Sequence, residues 1–81
     1  MRLNWDDASG PRAARRVLVA AAHGVWYRVM YLRGTGAFLH VRYGFLGPYE
    51  RVGSRFDSIA AAQRRAQVEE DERNPPFELR D

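Results

Sequence analysis

Apolar and polar residues alternate along the middle of the chain in the period-two pattern of β-strands. Residues 25–32 read Val-Trp-Tyr-Arg-Val-Met-Tyr-Leu, and residues 37–43 alternate in the same way. Glycine-rich turns, Gly34-Thr35-Gly36 and residues 44–48, follow these two segments, and glycine accommodates the positive φ angles of tight turns. The pattern predicts strands over 25–33 and 37–43, with a short edge strand within 49–56.

The segment from Arg12 to Gly24 fits two different structures. A helix is favoured by apolar residues at 14, 17, 18 and 21, and by Pro11 at the first helical position. A strand over 15–22, joined by a tight His23-Gly24 turn, would instead give the next strand a partner. The strand is the preferred interpretation, because Val17-Leu18-Val19 is β-branched at both ends.

The last regular element is a helix over residues 57–73. Asp57 or Ser58 is the expected N-cap, and Asn74-Pro75-Pro76 ends the helix because proline cannot continue it. Ile59, Ala62 and Ala66 fall on one face, and such small residues allow close packing on a sheet.

These elements predict one α+β domain spanning residues 1–81. It is an antiparallel sheet of three to four strands, a β-meander, with one C-terminal helix packed on one face. The chain divides into an N-terminal segment (1–11), the sheet (12–56), the helix (57–73) and a tail (74–81). A single helix covers only one side of a sheet, so the other side is open to water or to a partner.

The register of the central hairpin decides which side chains lie on the open side. A three-residue loop, Gly34-Thr35-Gly36, pairs Val29 with Val41 and Tyr27 with Tyr43 in the core, whereas a two-residue loop mixes the faces. The first register also sets Arg28 against Arg42, which is unfavourable. Its open face carries Trp26, Arg28, Met30, Phe38, His40 and Arg42.

These six residues, with Arg51 and Arg55 of the edge strand, are the candidate partner-binding set. Aromatic side chains between arginines suit base stacking and phosphate binding, and the same residue types are enriched at protein–protein hot spots. The alternative is a second small core, in which Leu3 and Trp5 of the N-terminal segment fold over this face.

The charge divides along the chain. Residues 12–65 hold ten arginines against Glu50 and Asp57, a net charge of +8, and residues 66–81 hold two arginines against six acids, a net charge of −4. All thirteen basic residues are arginine, as expected of a GC-rich genome, and the excess attracts nucleic acid or acidic proteins. The acidic run Glu69-Glu70-Asp71-Glu72 opposes the helix dipole and is a candidate acidic patch.

The residues do not indicate catalysis. The chain has no cysteine, and its two histidines, His23 and His40, have no carboxylate near them in sequence. The serines lie in no nucleophile motif, and the glycines form no phosphate loop. We expect no enzyme activity, no metal and no cofactor.

Several short sequence motifs follow one another along most of the chain: Leu3-x-Trp5, Tyr27-Arg28-Val29, Phe56-Asp57-Ser58 and Ala60-Ala61-Ala62-Gln63. In the order of these motifs the chain resembles small uncharacterised proteins encoded by phages and prophages. The resemblance implies a β-meander with a helix and an accessory role, such as inhibition of a host protein or nucleic-acid-handling complex, as in anti-CRISPR proteins. Arg42-Tyr43-Gly44-Phe45 also resembles the DNA-binding WGR domain, but Tyr43 and Phe45 replace that domain's tryptophan and arginine.

The expected function is therefore that of a non-enzymatic binding protein. The first hypothesis is an inhibitor of a host protein or complex, and the alternative is a small arginine-rich nucleic-acid-binding module. The expected location is the cytoplasm, that of the host cell if a phage encodes the protein, because the N-terminus has no signal-peptide pattern and the longest apolar run, 17–22, is too short to span a membrane.

Overall fold

Five antiparallel strands and one helix make up the fold. The computed structural model describes residues 2–10 and 15–74. The elements are β1 (Asp6–Asp7), β2 (Arg15–Ala22), β3 (Val25–Leu32), β4 (Gly36–Tyr43), β5 (Tyr49–Phe56) and α1 (Ile59–Arg73), and the strands lie in the order β1-β2-β3-β4-β5. The α+β class, the antiparallel meander and the C-terminal helix are thus confirmed. The sheet has one strand more than the three to four predicted.

The additional strand is β1, the two-residue edge of the sheet. Asp6 lies opposite Val19 and Asp7 opposite Leu18. Two aspartates are poor strand formers, so the sequence pattern gave no signal for this element. Pairing with β2 creates it, and the adjoining bond from Ala8 N to Val17 O is 2.7 Å long.

The strand interpretation of the ambiguous segment is confirmed for residues 15–22. β2 pairs with β3 along its whole length, and His23 and Gly24 connect the two strands with φ angles of 53° and 76°. Two consecutive positive φ angles give a turn whose twist matches that of the flanking strands. β3 needs a hydrogen-bonded neighbour on this side, and this requirement outweighs the helical spacing of the apolar residues in the segment.

The expected register of the β3–β4 hairpin is wrong by two residues. Val29 lies opposite Leu39 and Tyr27 opposite Val41, because the three-residue loop is Arg33-Gly34-Thr35 and Gly36 already belongs to β4. A shift of two leaves each side chain on its expected face. It also removes the like-charge pair, since His40 and not Arg42 lies opposite Arg28.

The helix closes the core on one side of the sheet. Ser58, one of the two residues predicted as the N-cap, caps the helix. Its hydroxyl accepts a 3.1 Å hydrogen bond from Ala61 N. Ala62 and Ala66 are fully buried against β3 and β4. The core cluster consists of Leu3, Leu18, Ala20, Ala22, Val25, Tyr27, Val29, Ala37, Leu39, Val41, Ala62 and Ala66.

The N-terminal segment packs on the helix side and not on the open side. Leu3 is buried in the core cluster, Trp5 packs against it, and Leu3 N donates a 2.8 Å hydrogen bond to Gln67 Oε1 of α1. The alternative in which Leu3 and Trp5 cover the opposite face of the sheet is therefore wrong. Of the predicted tail, only Asn74 lies within the described residues.

Candidate nucleic-acid interface

The face of the sheet opposite α1 carries a continuous set of arginine and aromatic side chains. In β3 and β4 the directly opposed pairs are Trp26–Arg42, Arg28–His40 and Met30–Phe38. β5 adds Tyr49 opposite Arg42 and Arg51 opposite His40. We call these eight residues the cationic–aromatic face: Trp26, Arg28, Met30, Phe38, His40, Arg42, Tyr49 and Arg51. Seven of them belong to the set predicted from the sequence, and Tyr49 is new.

The guanidinium groups of this face lie over its rings. Arg28 is 4.0 Å from the centroid of Tyr49, Arg42 is 4.7 Å from Trp26 and 5.1 Å from Tyr49, and Arg51 is 4.6 Å from Phe38. A cation over a ring face is attracted by the ring quadrupole. These contacts hold three arginines in place without neutralising their charge.

The positive charge of the face has little compensation within the described part of the chain. Arg28, Arg42 and Arg51 take part in none of the ion pairs found among residues 2–10 and 15–74. Asp6 lies at the far rim, opposite Val19, and Glu50 lies opposite Val41 and so belongs to the helix side of β5. The face therefore offers a local excess of cations to an anionic partner.

His40 lies at the centre of the face between two cations, Arg28 on β3 and Arg51 on β5. Burial lowers the pKa of His40 below its ordinary value, and the charges of these two arginines lower it further. Its Nδ1 atom is buried without a hydrogen-bond partner, as are the Nε atoms of Arg28 and Arg42. Unpaired buried polar atoms are uncommon in folded proteins, and three of them lie on this one face.

An apolar loop extends the face at one end. The ring of Phe45 contacts Trp26 edge-on, with centroids 6.1 Å apart, and Phe45 and Leu46 are 76% and 92% exposed. Adjacent exposed apolar side chains next to an aromatic row are a common mark of a contact surface. The sequence showed this segment only as a turn.

Arg55 was predicted with the binding set but lies away from the row of stacked arginines. Its guanidinium donates a 2.6 Å hydrogen bond to Thr35 O and lies 3.6 Å from Asp57. A β-bulge separates it from Arg51, since the pairing of β4 with β5 shifts between Ala37 and Leu39. Gly53 adopts the positive φ angle of 72° within this irregular stretch.

The four residues of the predicted acidic patch do not form one surface. Glu70 is fully buried, Glu69 lies within 4 Å of both Arg65 and Arg73, and Asp71 accepts a 2.9 Å hydrogen bond from Gln67. Glu72 is exposed to solvent. The four side chains therefore have separate environments around the end of α1.

Glu70 is the acceptor of a polar cluster that sequence reasoning missed. Tyr27 Oη donates to Oε1 at 2.8 Å, and His23 Nδ1 and Asn74 Nδ2 lie 2.9 and 3.3 Å from Oε2. Arg73 donates to the hydroxyls of Tyr27 and Tyr43. A histidine–carboxylate pair can support catalysis, but the described hydrogen-bond partners in this cluster include no serine, threonine or cysteine nucleophile. The cluster joins the end of α1 to the β2–β3 turn.

Comparisons with protein-family models, with curated proteins and with solved structures find no match to this chain. Residues 2–10 and 15–74 contain no group of three or more histidine, aspartate or glutamate side chains placed to hold a metal ion. In the same residues, no helix has the length and hydrophobicity of a membrane span.

Proposed function

We propose that this protein is a non-enzymatic binding module whose cationic–aromatic face binds single-stranded nucleic acid. The observation that carries the proposal is the row of Arg28, Arg42 and Arg51, each stacked on a ring of the same face and none paired with an acid in the described chain. Phosphate groups are the natural counterpart of unpaired guanidinium groups, which bind them through two parallel hydrogen bonds.

Stacking on the rings favours phosphate binding in a second way. An arginine side chain loses rotational freedom when it binds a partner, and this loss reduces affinity. Arg28 over Tyr49 and Arg42 between Trp26 and Tyr49 are already held in place before binding. The entropy lost on binding is therefore smaller than for arginines in solution.

The rings favour a single strand over a duplex. Trp26, Phe38 and Tyr49 are only partly buried, and guanidinium groups lie over their rings. Unpaired bases stack on such rings and on guanidinium planes, whereas the bases of a duplex are already stacked on each other. An open sheet face also accommodates an extended strand along its surface.

A second candidate is the phage-type accessory function, in which the protein blocks a host protein or nucleic-acid-handling complex. The exposed Phe45 and Leu46 beside Trp26 favour it, because aromatic and arginine side chains around an apolar centre are typical of protein hot spots. This candidate predicts that Trp26→Ala or Phe38→Ala abolishes binding of the target with only a weak dependence on salt.

The proposal is tested by fluorescence anisotropy with a labelled single strand of about twelve nucleotides. Affinity should fall steeply between about 50 and 200 mM salt, with the log–log slope becoming flatter by about 0.7 when Arg28→Ala or Arg42→Ala removes one phosphate contact. Arg64→Ala is the matched control, because Arg64 is an exposed arginine on α1. Absence of binding at low salt, or an equal effect of Arg64→Ala, would contradict the proposal.

A further inference from the structure

The cationic–aromatic face is rich in hydrogen-bond donors and poor in acceptors. Arginine side chains donate only, and so does the indole nitrogen of Trp26. Tyr49 carries a hydroxyl that can also accept, and Asp6 at the rim is the nearest carboxylate by strand register. A base that approaches this face finds partners for its acceptor atoms and few partners for an amino group.

The imidazole of His40 adds a donor at the centre of the face. Nδ1 is enclosed and has no partner, so a proton on this atom would be buried without an acceptor. Nε2 is not enclosed, and the imidazole of His40 makes no hydrogen bond within the described residues. In the neutral ring the proton is therefore favoured on Nε2, which then donates towards the open side.

The protonation of this ring is controlled by its neighbours on both sides. Arg28 on β3 and Arg51 on β5 lie directly opposite His40, and Arg42 follows on its own strand. Two adjacent guanidinium charges and burial disfavour a third cation at this point. His40 therefore differs from the arginines around it as a neutral donor of fixed direction.

Bases differ in what they present to such a donor. Thymine or uracil has a carbonyl oxygen where cytosine has an amino group, and guanine has two adjacent acceptors where adenine has one acceptor and one amino group. Resting on the proposed function, we infer that the cationic–aromatic face selects keto bases over amino bases, and that His40 is the residue that sets this preference. An amino group placed against Nε2 would leave two donors facing each other without an acceptor.

The experiment compares oligothymidylate with oligodeoxycytidylate of the same length near neutral pH. The two strands have the same backbone charge, and their rings differ in the carbonyl or amino group, in the proton on N3 and in the C5 methyl group of thymine. The His40→Ala variant separates the hydrogen-bond contribution of His40 from that of the methyl group. Wild-type protein should bind oligothymidylate about fivefold or more tightly, the effect of one hydrogen bond and one avoided mismatch. His40→Ala should reduce this ratio to less than about twofold, mainly by weakening oligothymidylate binding.

Met30→Ala is the matched control within the same face. Met30 lies opposite Phe38 and offers no donor, so its removal should weaken both strands equally and leave the ratio unchanged. Equal binding of the two strands by the wild-type protein would overturn the inference while leaving the proposed function intact. A ratio retained in His40→Ala would overturn the role of His40. Absence of binding to either strand would overturn the proposed function and the inference with it.

Discussion

At the scale of single residues, Glu70 is a buried acidic side chain whose burial has to be compensated by hydrogen bonds. It is a carboxylate with no exposed surface, on the last turns of a helix whose dipole disfavours negative charge. Tyr27, His23 and Asn74 compensate by placing donors within 2.8 to 3.3 Å of its two oxygens. The hydrogen bonds therefore make a buried acid tolerable here and fix the end of α1 against the sheet.

Glu70→Ala should lower the free energy of unfolding by about 3 kcal/mol, because it leaves the Tyr27 hydroxyl and the Asn74 amide without their acceptor. Urea denaturation followed by circular dichroism measures this. Glu72→Ala, on the exposed side of the same helix, is the control and should change stability by less than about 0.5 kcal/mol. Equal stability of the two variants would show that the cluster contributes nothing to the fold.

The sequence predicted some of these residue roles and not others. Alternation along 25–32 and 37–43 was sufficient to place Trp26, Arg28 and His40 on one face, since strand geometry alone decides which face a side chain occupies. Tyr49 could have been included, because it is two residues before Arg51. The contact between His23 and Glu70 spans 47 residues of sequence and has no local signal.

At the scale of elements, the alternation of residues in the β3–β4 hairpin predicts the face of each side chain but not the register of the two strands. Gly34 and Gly36 both adopt positive φ angles, 80° and 129°, so either could have ended the loop. Packing decides between them, because a Cβ atom on Gly36 would lie only 2.8 Å from the carbonyl oxygen of Phe56. Gly36 is thus required where β4 passes the end of β5, and this contact is not visible in the sequence.

Gly36→Ala should therefore destabilise the protein by about 2 kcal/mol, through backbone strain at positive φ and the clash with Phe56. The urea midpoint is again the measurement. Gly10→Ala is the control, since a Cβ atom there meets nothing within 4 Å. A midpoint for Gly36→Ala that matches that of Gly10→Ala would mean that β5 shifts without cost and that the β4–β5 register is not fixed at this point.

At the scale of the whole molecule, the two sides of the sheet differ in their residues. The helix side contains the core, the N-terminal segment and the Glu70 cluster, and the other side carries the cationic–aromatic face. Removal of residues 69–81 would test the effect of the acidic run on binding only if the fold survived. Because Glu70 and Arg73 join α1 to the sheet, this truncation would also remove contacts that hold the helix in place. Substitutions on the open face are the cleaner probes of binding.

The composition of the whole chain limits which side chains lose a proton at alkaline pH. With no lysine and no cysteine, tyrosine is the side-chain type expected to lose a proton between about pH 9 and 12. Burial raises the pKa of Tyr27 to about 12, opposed by the hydrogen bond from Arg73 and assisted by Glu70. The folded state thus favours the neutral phenol more strongly than the unfolded state does, where the ordinary pKa is about 10.

A raised pKa in the folded state contributes stability that is fully present below the unfolded-state pKa. This stability is lost as the pH rises through the folded-state pKa. The free energy of unfolding should therefore decrease between about pH 10 and 12. Tyr27→Phe should be less stable at neutral pH, because it lacks the bonds to Glu70 and Arg73, but its stability should depend less on pH in this range. Tyr31→Phe is the control, since no described hydrogen bond involves its hydroxyl, and it should keep the wild-type slope. A wild-type slope in Tyr27→Phe would show that another group controls alkaline unfolding.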